Sequence, residues 1–230
     1  MSEFVTLKAA DGVELGAYVV RPEGEAKGAI VVIQEIFGVN HHIRSVADGF
    51  AKAGYVAIAP ALFDRMEKGV ELSYSGADMQ RAFTEFYPKL DVDKALLDVA
   101  AAYHHIAKEQ KSIGIVGFCY GGLMSWLSAT RGETQEMQPA GCVGYYAGGI
   151  GNFATEEPSC PVMLHFGAAD THIGIDQVDA VRNAHPEVEV FLYEGAGHAF
   201  NRDPDPAAYH ADAAKLAMER TLAFFATHVA

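Results

Sequence analysis

Short runs rich in valine, isoleucine and alanine alternate along the chain with longer amphipathic stretches. That alternation predicts a mainly parallel sheet flanked by helices. The opening departs from it. Residues 4–7 and 13–20 flank Asp11-Gly12, a strong hairpin turn signal, so the chain is expected to start with an antiparallel edge hairpin. Strands are predicted at 29–34, at 55–59 where Pro60 stops the run, and at 112–116, 141–146, 162–166 and 188–193. A loop at 35–38 leads into a helix ending near residue 53. Residues 91–108 place Ala95, Leu96, Val99, Ala102, Tyr103 and Ile106 on one helical face. Further helices are predicted over 121–131, 176–183 and 207–229. The pattern weakens over 61–88, which predicts a long loop with helical pieces lying over the sheet.

Chemistry enters at Gly117-Phe118-Cys119-Tyr120-Gly121-Gly122, which leaves no residues for an ordinary loop between a β-branched strand and a helix. It fits the G-x-nucleophile-x-G elbow, where a strained backbone exposes the nucleophile and glycines avoid collisions with neighbouring elements. The elbow turns the α/β pattern into an α/β-hydrolase fold, with helices on both sheet faces, and makes Cys119 the candidate nucleophile. The helix that follows points its N-terminus at the sulfur, favouring both a thiolate and an oxyanion. Cys142, inside a predicted strand, and Cys160, before Pro161, lack such a setting and are assigned to packing.

An ordinary thiol is mostly protonated at neutral pH and needs a base, and the base needs an orienting group. In this fold the order along the chain is nucleophile, acid, histidine. Of ten histidines only His198 lies in a glycine-bearing loop, Gly195-Ala196-Gly197-His198, between a late strand and the last helix. The acid should follow the preceding strand, which selects Asp170, with Asp176 and Asp179 as alternatives. His41, His42, His104, His105, His165 and His172 show no metal-ligand spacing, so neither a metal nor another cofactor is expected. Gly149-Ile150-Gly151-Asn152-Phe153-Ala154 fits a dinucleotide fingerprint, but it runs into Glu156-Glu157-Pro158 instead of a helix and is expected to be a turn.

Composition narrows the partners. The 230 residues, half hydrophobic and a fifth charged, suit one globular domain over 1–230 and argue against disorder. A formal net charge of −13 repels polyphosphate, which argues against nucleic acid and anionic membranes, and an anionic small substrate would need locally placed arginines. No leader-like start and no run near the roughly 20 apolar residues of a membrane span is present, and three cysteines without CxxC spacing suit a reducing cytoplasm. The expected partner is a small ester or lactone, acted on by a monomer or small homo-oligomer.

Together, Gln34-Glu35-Ile36-Phe37-Gly38-Val39-Asn40, the elbow, Val143-Gly144-Tyr145-Tyr146 and Ala196-Gly197-His198-Ala199-Phe200 resemble the dienelactone hydrolase (carboxymethylenebutenolidase) family over nearly the whole chain. The resemblance implies hydrolysis of dienelactone to maleylacetate through an acyl-thiol intermediate. It implies that the Ile36 and Tyr120 amides form an oxyanion hole and that Glu35 contacts the resting thiol until substrate arrives. It also implies that Arg202 binds the lactone's carboxylate, with Phe37 and Tyr87 in the substrate pocket. A second family arginine aligns with Arg81 or, after a one-residue shift, with Gln80. Ala199 stands where the family often has serine, and Tyr87 where it has tryptophan. These departures keep a broader carboxylesterase or thioesterase open as an alternative, beside a non-hydrolytic redox or binding role for the thiol.

Overall fold

The computed structural model describes residues 1–229. The hairpin forms as the pattern predicts, β1 (Ser2–Lys8) against β2 (Glu14–Val20), with Gly12 at φ +89° in its turn. Next come β3 (Ala29–Ile33), α1 (His41–Lys52) and β4 (Val56–Pro60). Asn40 caps α1 by accepting from the Ile43 amide. Segment 61–88 contains two 3₁₀ turns, the short helix α2 (Gly76–Arg81) and a π-helical turn over Ala82–Phe86. Then follow α3 (Val92–Ile106), β5 (Ile113–Phe118), α4 (Tyr120–Arg131), β6 (Gly141–Tyr145), β7 (Val162–Gly167), α5 (Ile175–Ala184), β8 (Glu189–Tyr193) and α6 (Ala211–His228).

The described residues form an eight-stranded sheet in the order β1-β2-β4-β3-β5-β6-β7-β8, parallel from β4 to β8. The strands β3, β4, β5, β6 and β7 are buried along their whole length, which is why they read as unbroken apolar runs. Helices α1 and α6 share one face, where the Phe50 and Phe225 rings meet at 5.9 Å, and α3 and α4 cover the other. No helix among the described residues is long and apolar enough to cross a membrane.

Several boundaries shift by one or two residues, and two of the differences bear on the site. The last helix starts at Ala211 instead of 207, because Asp205 ties the preceding residues into a turn and His210 caps the helix through the Ala213 amide. β5 continues to Phe118, pairing it with Tyr145 of β6, so the strand ends directly at Cys119. The Gly149–Ala154 fingerprint contains a 3₁₀ turn over Ile150–Phe153 and opens no long helix.

This topology positions the site. The chain moves outward from β3 to β4 and then returns to β5 on the other side of β3, so the loops after β3 and β5 part in opposite directions. Such a switch point leaves a crevice at the carboxyl ends of the strands. Ile33 of β3 lies opposite Gly117 of β5, which brings the segment after Ile33 beside the elbow.

Candidate active site

Cys119 links β5 to α4 at φ 54°, ψ −115°, a conformation that a residue with a side chain adopts only when its surroundings impose it. The flanking glycines show what imposes it. A Cβ on Gly117 would overlap the Gly121 backbone, and one on Gly121 would overlap the Ile33 carbonyl and lie 2.6 Å from that of Gln34. Strand, nucleophile and helix therefore pack at backbone contact. Among the described residues four non-glycines have positive φ, and three of them, Cys119, Tyr146 and Ala199, surround this corner.

The loop after β8 brings His198 to the sulfur, with Nε2 at 3.3 Å from Cys119 Sγ. Its Nδ1 lies 2.8 Å from Asp170 Oδ2, in the loop after β7. The other Asp170 oxygen accepts from the His172 and Ile173 amides, which fixes the carboxylate. Asp176 and Asp179, the alternatives, lie on α5, where Asp179 pairs with Arg182. Burial opposes a charge on His198, but hydrogen bonds to Asp170 and Cys119, with their charges, outweigh it and push its pKa up to about 10. Burial opposes ionisation of Asp170 too, and the His198 hydrogen bond and charge, with the two amides, still hold its pKa below the ordinary value.

Behind the nucleophile lies a buried charged cluster. Glu35, 1% exposed, faces Arg202 Nη1 at 3.5 Å, and neither of its carboxylate oxygens has a hydrogen bond. The gating contact expected between Glu35 and the thiol is not formed: the sulfur is bonded to His198 and the carboxylate lies against the guanidinium. Arg202 is equally occupied. Its Nη2 donates to Asp205 at 2.9 Å, and its plane lies over the Tyr74 ring at 4.3 Å and the Phe37 ring at 5.3 Å. The Tyr146 hydroxyl, also buried, has no partner.

The crevice has two lobes that share Ile36, Phe83, Cys119, His172 and His198. One, of about 500 Å³, is bounded by Phe83, Tyr87, Leu90, Leu123 and Phe153. The other, of about 480 Å³, contains Phe37, Arg202, Asp205 and His210. Tyr87 lines the first lobe and Phe37 the second. Ile36 lines both lobes, and the Tyr120 amide, first in α4, has no acceptor in its own helix. Arg81 does not reach the crevice lining. It pairs with Glu67 and Glu85 and lies over the Phe86 ring. Sequence reasoning missed His172, whose ring lies 5.1 Å from that of His198, and Tyr74 and Asp205, which hold Arg202. Position two residues beyond Asp170 was the available signal for His172. No group of three or more His, Cys, Asp or Glu side chains among the described residues is placed to hold a metal ion.

A profile of the dienelactone hydrolase family matches residues 15–229. The chain belongs to the dienelactone hydrolase family. A carboxymethylenebutenolidase from Pseudomonas putida is 30% identical, with 98% of this chain and 97% of that protein covered. A Yersinia pestis protein assigned as a carboxymethylenebutenolidase is 32% identical, covering 95% of this chain and 86% of its own length. A crystal structure from Klebsiella pneumoniae, assigned as a dienelactone hydrolase, superposes with a TM-score of 0.83 at 30% identity over 98% of this chain and 99% of that one. This dienelactone hydrolase family member is accordingly an ester-cleaving hydrolase with the α/β-hydrolase fold.

Proposed function

We propose that this family member cleaves a lactone or activated ester with Cys119 as nucleophile, His198 as base and Asp170 as its orienting acid. The observation that carries the reading is the relay from Asp170 Oδ2 to His198 at 2.8 Å and from His198 to Cys119 Sγ at 3.3 Å, placed at a strained elbow that opens into both lobes. In the first half-reaction the sulfur, its proton already held on His198 Nε2, bonds to the substrate carbonyl carbon. The Ile36 and Tyr120 amides hold the resulting oxyanion. The tetrahedral adduct collapses by breaking the carbon–oxygen bond of the ester, and His198 returns its proton to the leaving oxygen. Water then attacks the thioester and gives a proton to His198. The sulfur leaves as the acid departs, and the resting sulfur–imidazolium pair is restored.

Sulfur is itself a good leaving group, so collapse releases a stabilised alkoxide or enolate more readily than an amine. That chemistry ranks lactones and activated esters above amides. The test is hydrolysis of 4-nitrophenyl esters and an enol lactone by wild type and Cys119→Ala. Loss of all turnover in a variant with unchanged circular dichroism supports the reading, and full activity in the variant removes it.

A further inference from the structure

We propose that Cys142 and Cys160 form a second, oxidisable site, in which a small hydroperoxide converts the two thiols into a disulfide that a dithiol reductant reopens. The site lies apart from the crevice and owes nothing to the nucleophile. Cys142 stands in β6 and Cys160 two residues ahead of β7, the neighbouring parallel strand, and their sulfurs lie 3.8 Å apart. Cys142 pairs with Val162, and its amide donates to the Pro161 carbonyl at 3.0 Å, so the backbones that carry the thiols already run side by side. Ser159 anchors the approach to Cys160 on α4. Its amide and its hydroxyl both donate to the Ala129 carbonyl, at 2.9 and 2.8 Å. Closing the gap to a bonded separation of about 2 Å therefore calls on side-chain rotation, not on a new backbone path.

The pair is asymmetric in the way such a reaction needs. Cys142 is fully buried, whereas Cys160 is partly open between the exposed Ser159 and Pro161. The Cys142 thiol, hydrogen-bonded to Cys160, holds the Cys160 pKa below its ordinary value, and burial pushes that of Cys142 up. The accessible sulfur is thus the better anion, and the hidden one keeps its proton. The Cys160 thiolate attacks the terminal peroxide oxygen, the O–O bond breaks, and the other oxygen departs as hydroxide or alkoxide, taking up the proton that Cys160 gave up. Cys142 then attacks the sulfenic sulfur, and its own proton leaves with the hydroxide as water. Two thiols are oxidised and one hydroperoxide is reduced. The disulfide closes the segment from 142 to 160, which carries Gly148, Gly149, Asn152 and Phe153, one wall of the first lobe. Cys142 pairs with Ile115, four residues before Cys119, so the cross-link forms roughly 13 Å along the sheet from the nucleophile and lines neither lobe. It braces that wall from below.

The experiment exposes reduced wild type, Cys119→Ala, Cys142→Ser and Cys160→Ser to hydrogen peroxide and maps the products by mass spectrometry of unreduced digests. The expected product in wild type and Cys119→Ala is a pair of peptides joined through 142 and 160, lighter by two hydrogen atoms and separated by dithiothreitol. Neither serine variant should give it. Cys142→Ser should instead stop with oxygen added to Cys160, and Cys160→Ser should leave Cys142 unmodified. In Cys119→Ala, where the nucleophile cannot be oxidised, cross-linking should raise the thermal unfolding midpoint by about 5 °C or more, and reduction should return it, as closing a loop of this length predicts. Both thiols unchanged at a peroxide dose that fully oxidises Cys119 would overturn the proposal. So would oxygen added to Cys160 in wild type without a cross-link, or a cross-link from Cys160 to another chain. A cross-linked protein that unfolds no later than the reduced one would remove the bracing of the lobe.

Discussion

His165 and His198 are both withdrawn from solvent and both hydrogen-bonded at each ring nitrogen, yet they carry opposite charge preferences. His165, on β7, meets the Tyr193 hydroxyl at 2.8 Å and the Thr221 hydroxyl at 3.1 Å. Burial, reinforced by the Arg220 charge, pushes its pKa down to about 3. His198 meets a carboxylate and a thiol, and its pKa is pushed up to about 10 despite burial. Burial alone therefore does not decide where the proton sits. Neutral partners leave desolvation in command, and an anionic partner reverses it. The neutral imidazole braces strand β7 against α6, and the charged one stands at the crevice.

The sharpest way to break the contrast is to remove the anion. Asp170→Asn keeps the shape of the partner and drops its charge, so turnover should fall roughly a thousandfold or more, with His198 losing its preferred tautomer. Nuclear magnetic resonance titration of the His198 ring should show its pKa falling toward the ordinary histidine range. A variant with wild-type kcat would show that the carboxylate has no part in the reaction.

Acid should act through the other histidine. The unfolded chain binds a proton at His165 near pH 6.5 and the folded chain only near 3, so this residue's contribution to stability is complete above 6.5 and is lost as the pH falls. Urea unfolding of wild type and His165→Gln should show the wild type losing on the order of 4 kcal/mol more between pH 7 and 3. Identical slopes would mean that His165 is protonated in the folded state. For His198 the sign is reversed. Its raised pKa supplies stability below 6.5 that is lost as the pH rises through 10. Stability of wild type should therefore fall more steeply than that of His198→Gln in alkali.

A smaller effect sharpens the same point. Thr221→Val leaves His165 Nε2 and the Tyr145 hydroxyl without the bridging oxygen they share. It should cost about 1–3 kcal/mol in urea unfolding and leave kcat unchanged.

What could be read in the residues follows how local each signal is. The elbow was legible because its glycines act within six consecutive positions. Asp170 and His198 were legible because each follows a strand in a fixed chain order. The glutamate–arginine cluster was less so. Glu35 and Arg202 lie far apart in the chain, and nothing in the sequence reveals that their side chains satisfy each other before any ligand arrives. Segment 61–88 was legible only as irregular, because its short turns are held by contacts far apart in the chain, the Phe63–Phe86 ring stack at 4.7 Å within it and the bond from Arg65 to the buried Asp98 outside it. For Arg81 a clue was present. Glu85 stands four residues on, the spacing of a helical ion pair, and favours a surface role over substrate binding.

The glycines around Cys119 also constrain how such a protein can change over generations. Gly117 is closed off by Gly121, and Gly121 by the strand edge at Ile33 and Gln34, so neither position accepts even a methyl group while the other elements stay in place. Substitution there has no gradual path. Lineages can remodel the exposed rim at Phe83 and Tyr87 one step at a time and acquire new substrate preferences, while the corner that carries the sulfur is inherited whole.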